Sequence, residues 1–208
     1  MKSTNRVEAI GGAVPTNGAQ SVIELRQPYR VAVTIQGVAP LFFNRWNVEA
    51  IQAKSEAKKG SKERKSDNLE SMIYRDSKGE ICIPTEYLRQ SIIGAAKFQQ
   101  DPRSYRKSAN DLFKAGIVCI SEFASLGVKT WDYVDKRRGV IQRSAITRSR
   151  PAFKEGWRAT FQFAVALPEY IDSNLFNETV QLAGRVIGIG DQRPSYGRYN
   201  VLSFDVLD

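Results

Sequence analysis

Near the C-terminus, twelve residues gather groups that could hold a phosphate: Gly188-Ile189-Gly190-Asp191-Gln192-Arg193-Pro194-Ser195-Tyr196-Gly197-Arg198-Tyr199. Gly188 and Gly190 carry no side chain and tolerate positive φ, so a phosphate or a neighbouring backbone can approach them closely. Arg193 and Arg198 bring fork-shaped donors beside that backbone, and Tyr196 an aromatic face. The segment lies between an apolar-periodic stretch ending near Ile187 and an alternating one beginning near Tyr199, so it reads as a structured helix-to-strand turn. Its glycines fit either anion binding or tight packing of helix against strand.

A second concentration of donors lies upstream. From Lys136 to Arg158 there are eight basic residues (Lys136, Arg137, Arg138, Arg143, Arg148, Arg150, Lys154, Arg158) against Glu155 alone. The whole chain of 208 residues has 31 Lys and Arg against 22 Asp and Glu, a net charge of +9, so most of the excess sits in this segment. Clustering of one sign points to a polyanionic partner; a surface made basic only for solubility would mix signs. A third site is Asn44-Arg45-Trp46, where basic and aromatic side chains adjoin. That mixture suits base stacking with a phosphate donor, while Phe42 and Phe43 just before it suit a hydrophobic plug.

Other chemistries are excluded or weakened. The chain has no histidine, which removes histidine-dependent nucleases and Ser-His-Asp hydrolases. Cys82 and Cys119 each sit in an apolar, strand-like stretch and read as small core residues; no C-x-x-C pair supports zinc or a disulfide. A metal-dependent nuclease would have to use carboxylates such as Asp191, Asp132 and Asp135, but Asp191 stands among arginines and reads better as their ion-pair partner. No metal and no cofactor are expected. No apolar run approaches the roughly 18 residues of a membrane span, and Met1 to Gln20 lacks the apolar core of a secretory signal, so a cytoplasmic location is expected.

The elements that must position these residues follow from periodicity. Residues 1–27 form an arm without sustained period, and residues 28–208 a single domain. Tyr29, Val31, Val33 and Ile35 alternate with polar neighbours as a first strand ended by Gly37. Residues 53–69, low in complexity from Lys54 to Asn68, read as a flexible basic insertion. Asp76 to Gly79 is a turn between two short strands. Pro84-Thr85-Glu86 starts a helix whose apolar face is Leu88, Ile92, Ala95 and Ala96, with Arg89 and Lys97 beside it and Asp101-Pro102 as its stop. Ile117 to Ser121 is a second strand. Residues 129–150 form a basic hairpin insertion with Lys136, Arg137 and Arg138 at its tip. Phe161, Phe163 and Val165 mark the clearest strand. Asp172 or Ser173 caps a second helix with Leu175, Phe176, Val180, Ala183, Val186 and Ile187 as its stripe, and Leu202, Phe204 and Val206 alternate in the last strand.

Strand, helix, strand, strand, helix, strand is the split β-α-β order: an α+β, ferredoxin-like (RRM-like) antiparallel sheet with both helices on one face. RNA-recognition domains bind single strands on the exposed face of such a sheet. With Ile83 to Arg89 (Ile-Pro-x-x-x-Leu-Arg) opening the first helix, a basic hairpin insertion, and Leu182 to Gly190 followed by Gly197-Arg198-Tyr199, the chain resembles the RAMP superfamily over about residues 29 to 207. That superfamily supplies backbone and RNA-processing subunits of CRISPR effector complexes in antiviral defence.

The resemblance implies a non-catalytic protein that binds single-stranded RNA, with single-stranded DNA as the alternative ligand. Copies of it would assemble along that strand as a homo-oligomer, with other effector subunits as further partners. It carries over as RNA-facing Asn44, Arg45, Trp46, Arg89, the hairpin residues through Arg143, Arg148 and Arg150, and the glycine-rich loop. The RNA-processing branch commonly uses histidine, absent here, and target-cleaving backbone subunits use an aspartate where this chain has Asn44. The chain is also short for a backbone subunit, which leaves open a mobile-element mimic. A protein-binding inhibitor of a nucleic-acid complex is the second reading.

Overall fold

The computed structural model describes residues 26–58, 68–141 and 144–207. The first strand, β1 (Tyr29–Gly37), is followed by the two-residue β2 (Leu41–Phe42) and helix α1 (Val48–Glu56). Next come β3 (Tyr74–Arg75), β4 (Ile81–Pro84), α2 (Thr85–Ala95), β5 (Gln100–Asp101) and β6 (Ser104–Ser108). Helix α3 (Asn110–Gly116) leads into β7 (Ile117–Cys119) and β8 (Phe123–Ser125), and then the long pair β9 (Tyr133–Ile141) and β10 (Ser144–Phe153). β11 (Arg158–Val165), α4 (Ser173–Val186) and β12 (Tyr199–Leu207) complete the chain.

The central sheet has the order β12-β1-β11-β7, and its neighbours are antiparallel. With α2 and α4 as crossovers, this is the ferredoxin-like arrangement expected from the order of elements. Alternation sets its register: Val31, Val33 and Ile35 of β1 face Phe163, Phe161 and Ala159 of β11 across the ladder. The same residues share one buried cluster with Leu88 and Ile92 of α2 and with Phe176 and Val180 of α4. Phe176 is the hinge of the packing, edge-on to Phe163 at 6.1 Å and to Phe204 at 5.5 Å. Each such side chain, once buried, contributes about 1.5–3 kcal/mol. Asp172 caps α4 by accepting from Leu175 N at 2.8 Å, as its type and position require.

The opposite face of the sheet corrects one expectation. Its outward positions on β1 and β11 are Arg30, Ala32, Thr34, Gln36, Arg158, Thr160, Gln162 and Ala164, with no aromatic ring among them. Base stacking of the RNA-recognition type has no platform there.

Four local readings also change. β9 runs unbroken to Ile141, so Lys136, Arg137 and Arg138 lie along a strand; Asp135 to Gly139 only mimics a turn by its polarity and glycine. Asp101-Pro102 does not stop the first helix. α2 ends at Ala95, a 3-10 turn covers Ala96–Phe98, and Asp101 belongs to the β5–β6 hairpin. α1 reaches into the stretch read as a low-complexity insertion, whose residues 59–67 lie outside the described ones; Asn47 caps it through Ala50 N at 3.1 Å. In β12 a register shift opposite Thr34 and Ile35 leaves Leu202 as the extra, exposed residue; Val206, paired with Val31 near the strand's end, and Val186 at the end of α4 are also exposed. Cys82 is buried and Cys119 half-buried, both thiols pushed up to about 11, chiefly by burial. No helix among the described residues is long and apolar enough to cross a membrane.

Candidate nucleic-acid interface

The glycine-rich loop is pinned to the segment after β1, backbone against backbone. Gly197 N donates to Pro40 O at 2.8 Å, Asp191 N to Phe42 O at 2.9 Å, and Val38 N to Arg198 O at 2.9 Å. A Cβ on Gly190 would meet Leu41 Cδ1 at 2.6 Å and Phe42 O at 2.8 Å, and one on Gly197 would meet Ile189 O at 1.7 Å. The glycines are thus required by a close approach of the protein to itself. Gly188 is buried and its N–H goes to Ala183 O at 2.9 Å, so it shapes the loop and offers no open surface. Gly190 stays half-exposed and lines a groove.

The hairpin reaches this loop through alternate residues. Asp135 and Arg137 of β9 pair with Arg150 and Arg148 of β10, so all four share one face, while Lys136 and Arg138 fall on the other and are exposed. Arg137 donates its Nε to both oxygens of Asp135, at 3.0 and 2.8 Å. Its guanidinium also lies 4.4 Å from the Tyr196 ring centre and 5.1 Å from that of Phe42. Those two rings stack at 4.4 Å. The Tyr196 hydroxyl and then the Asp135 carboxylate hold Arg137 above its ordinary range, so it stays charged. Arg150 Nε meets Asp191 Oδ2 at 2.5 Å and ties the base of the hairpin to the loop. Phe42 and Phe43 are the plug expected from their sequence, although Phe42 also supplies a stacking face.

Between α2, α3 and the loop runs a groove of about 830 Å³, lined by Gln90, Gly94, Lys97, Asn110, Lys114, Asp191, Arg193 and neighbouring apolar groups. A smaller cavity of about 330 Å³, lined by Asn44, Glu86, Tyr87, Gln90, Gly190, Asp191 and Arg193, shares four of these walls' residues and extends it toward β1. Burial, then the hydrogen bond with Tyr74, pushes the Tyr87 phenol well above its ordinary range, so it stays neutral. Asn44, Lys97, Gly190 and Arg193 are thus brought together, as four separate sequence readings.

Other expected contacts sit elsewhere. Arg89 spends its guanidinium inside the protein, donating to Ile117 O at 2.9 Å and Lys114 O at 2.6 Å and pairing with Glu86 at 3.1 Å. It fastens α2 to β7 and α3, a correction to its expected role. Arg45 lies 4.8 Å over the Tyr74 ring, whereas Trp46 beside it is 78% exposed. Arg198 is exposed just before β12, and Arg143 lies outside the described residues. Asp191, Asp135 and Asp132 are each engaged: with Arg150, with Arg137, and with Lys154 N at 2.8 Å. Among the described residues no three His, Cys, Asp or Glu side chains converge as a metal site.

Gln90, Asn110 and Lys114 were missed in the sequence. Gln90, Ile93, Gly94 and Lys97 have helical spacing and mark a second stripe on α2 beside its apolar face, which was the available signal.

No family model and no curated protein matches the chain. Among solved structures, a chain of the type III-B Cmr-beta complex, determined by cryo-electron microscopy bound to cognate target RNA, is similar with a TM-score of 0.54 at 9% identity. The match covers 87% of this chain and 61% of that one, so this chain spans about three-fifths of its length. Cmr6 from Pyrococcus furiosus aligns at 10% identity over 85% of this chain and 98% of its own, with a TM-score of 0.44. The likeness is one of fold: the ferredoxin-like sheet expected from the order of elements is the one this chain has, and a chain of that complex is similar to it.

Proposed function

We propose that this chain is a non-catalytic single-stranded RNA-binding subunit of a CRISPR-effector-like assembly, copies of which array along the RNA. Likeness of fold to a subunit of an RNA-bound complex supports the class of ligand. The observation that carries the reading is how charge is partitioned at the groove. Its two carboxylates, Asp191 and Glu86, are taken by Arg150 and Arg89, which do not line it. Lys97, Lys114 and Arg193 line it without a carboxylate partner among the described residues. Three cations beside Gln90 and Asn110 suit the groove to a phosphate backbone, with amides to orient it; Lys136 and Arg138, on the hairpin face opposite the one that meets the loop, add exposed positive charge outside the groove.

Purification at moderate salt tests this. The reading expects a ratio of absorbance at 260 to 280 nm above that of pure protein and a large species on size exclusion, both collapsed by RNase and untouched by DNase. A compact, nucleic-acid-free protein that binds no added RNA would refute it and favour a protein-binding inhibitor.

A further inference from the structure

The β5–β6 hairpin has a composition that the groove does not explain. From Lys97 to Ser108 the sequence is KFQQDPRSYRKS, with Lys97, Arg103, Arg106 and Lys107 against the single acid Asp101. Two aromatic rings stand in solvent here: Phe98 is 69% exposed and Tyr105 is 76% exposed. Nothing in the core uses them, and burying either elsewhere in the fold would have been favourable.

The hairpin is nevertheless held in shape. Asp101, 3% exposed, accepts from Arg103 N and Nε at 2.9 Å each, and from Arg103 Nη2 at 2.7 Å. Arg103 in turn lies 5.6 Å over the Tyr170 ring, which anchors the turn to the body of the domain. At the base, Ala109 N donates to Gln99 O at 2.9 Å. With its one acid sealed by Arg103, the hairpin presents Arg106 and Lys107, both exposed, around Tyr105; the Arg106 guanidinium is 5.4 Å from that ring's centre. Lys97 and Asn110, which bracket the hairpin, both line the groove. The hairpin therefore leaves and rejoins the chain at two residues of the groove's wall.

The geometry points to Phe98 and Tyr105 as a second stacking contact for single-stranded nucleic acid, where a strand leaving the groove lays bases on the two rings while Arg106 and Lys107 meet its phosphates. Charge selects this occupant: exposed rings among three uncompensated cations suit a polyanion with π faces. This inference rests on the proposed function and adds to it a contact that does not depend on the glycine-rich loop.

The test uses the full chain and a fluorescein-labelled single-stranded RNA longer than the roughly 16 nucleotides that one small domain covers. Phe98→Ala and Tyr105→Ala are each expected to weaken binding about fivefold or more, and the double variant further. Tyr105→Phe keeps the ring and should bind like the wild type. Because stacking releases no counterions, the alanine variants should keep the wild-type slope of log affinity on log salt, whereas Arg106→Gln with Lys107→Gln should flatten it. Unchanged melting would show that the exposed sites have not altered the fold.

If the double alanine variant binds RNA as the wild type does while Lys97→Gln with Arg193→Gln weakens it, the hairpin is not a contact and the groove reading stands. If the wild type binds no RNA, both fall. If the double variant binds RNA normally but loses a protein retained after nuclease treatment, the rings serve a protein partner and the inference is overturned.

Discussion

Arg150 Nε and Asp191 Oδ2 lie 2.5 Å apart, with both side chains mostly shielded from water, so one ion pair joins the basic hairpin to the glycine-rich loop. The contact links residues far apart in sequence and fixes where the hairpin's arginines stand relative to the groove.

Asp191→Asn keeps the shape and leaves Arg150 without its counter-charge in a shielded place. The expected cost is about 1–3 kcal/mol, seen as a lower urea midpoint. If Asp191 were instead a metal-binding acid, the substitution would relieve repulsion, and the midpoint would hold or rise.

The loop's glycines give a graded series. Gly197→Ala places a Cβ against Ile189 O and should cost about 3 kcal/mol or more, or prevent folding. Gly190→Ala, against Leu41 and Phe42 O, should cost somewhat less, since Leu41 can shift. Gly79→Ala has the same positive φ but open space, so only the backbone term of about 1 kcal/mol remains. Thermal melting of the three variants checks the order.

Acid should loosen the β5–β6 hairpin. The hydrogen bond from Arg103 holds the Asp101 carboxyl below its ordinary range. A carboxyl depressed in the folded state contributes stability above its unfolded value of about 3.9 and loses it as pH falls through the folded value. The urea midpoint of the wild type should therefore drop on acidification more steeply than that of Arg103→Gln, in which this contribution is already missing at neutral pH.

Tyr196 carries a stacking face and a hydroxyl that can be separated. Tyr196→Phe keeps the stack on Phe42 and the face toward Arg137, and should cost under about 1 kcal/mol. Tyr196→Ala removes ring, stack and cation-π contact together and should cost about 2–4 kcal/mol. Equal losses in the two variants would contradict the packing described.

Much of the fold was legible because period alone decides which side of an element is buried. Val31, Val33 and Ile35, or Phe161, Phe163 and Val165, could take no other arrangement, and Asp172 stands where a cap must. Local appearance misled where tertiary context overrode it. Asp135 to Gly139 has turn composition, yet pairing with Thr147 to Arg150 keeps Asp135 to Arg138 extended. The bulge in β12 turned Leu202 outward, because a one-residue slip exchanges the faces of a strand. At the site, residue types announced a basic surface but not which cations were spoken for. Arg89 reads like Lys97 in the sequence, and only the fold shows Arg89 bound to Ile117 O and Lys114 O while Lys97 lines the groove.

The central claim is that Lys97, Lys114 and Arg193 meet phosphates of a single strand. Affinity for a labelled single-stranded RNA, measured across a range of salt, tests it most directly when the wild type is compared with the triple glutamine variant. The account predicts that wild-type affinity falls steeply with salt and that the variant binds more weakly, with a slope shallower by about 2, since each lost phosphate contact removes about 0.7. Wild-type affinity independent of salt, or a variant with the same affinity and slope, would contradict it.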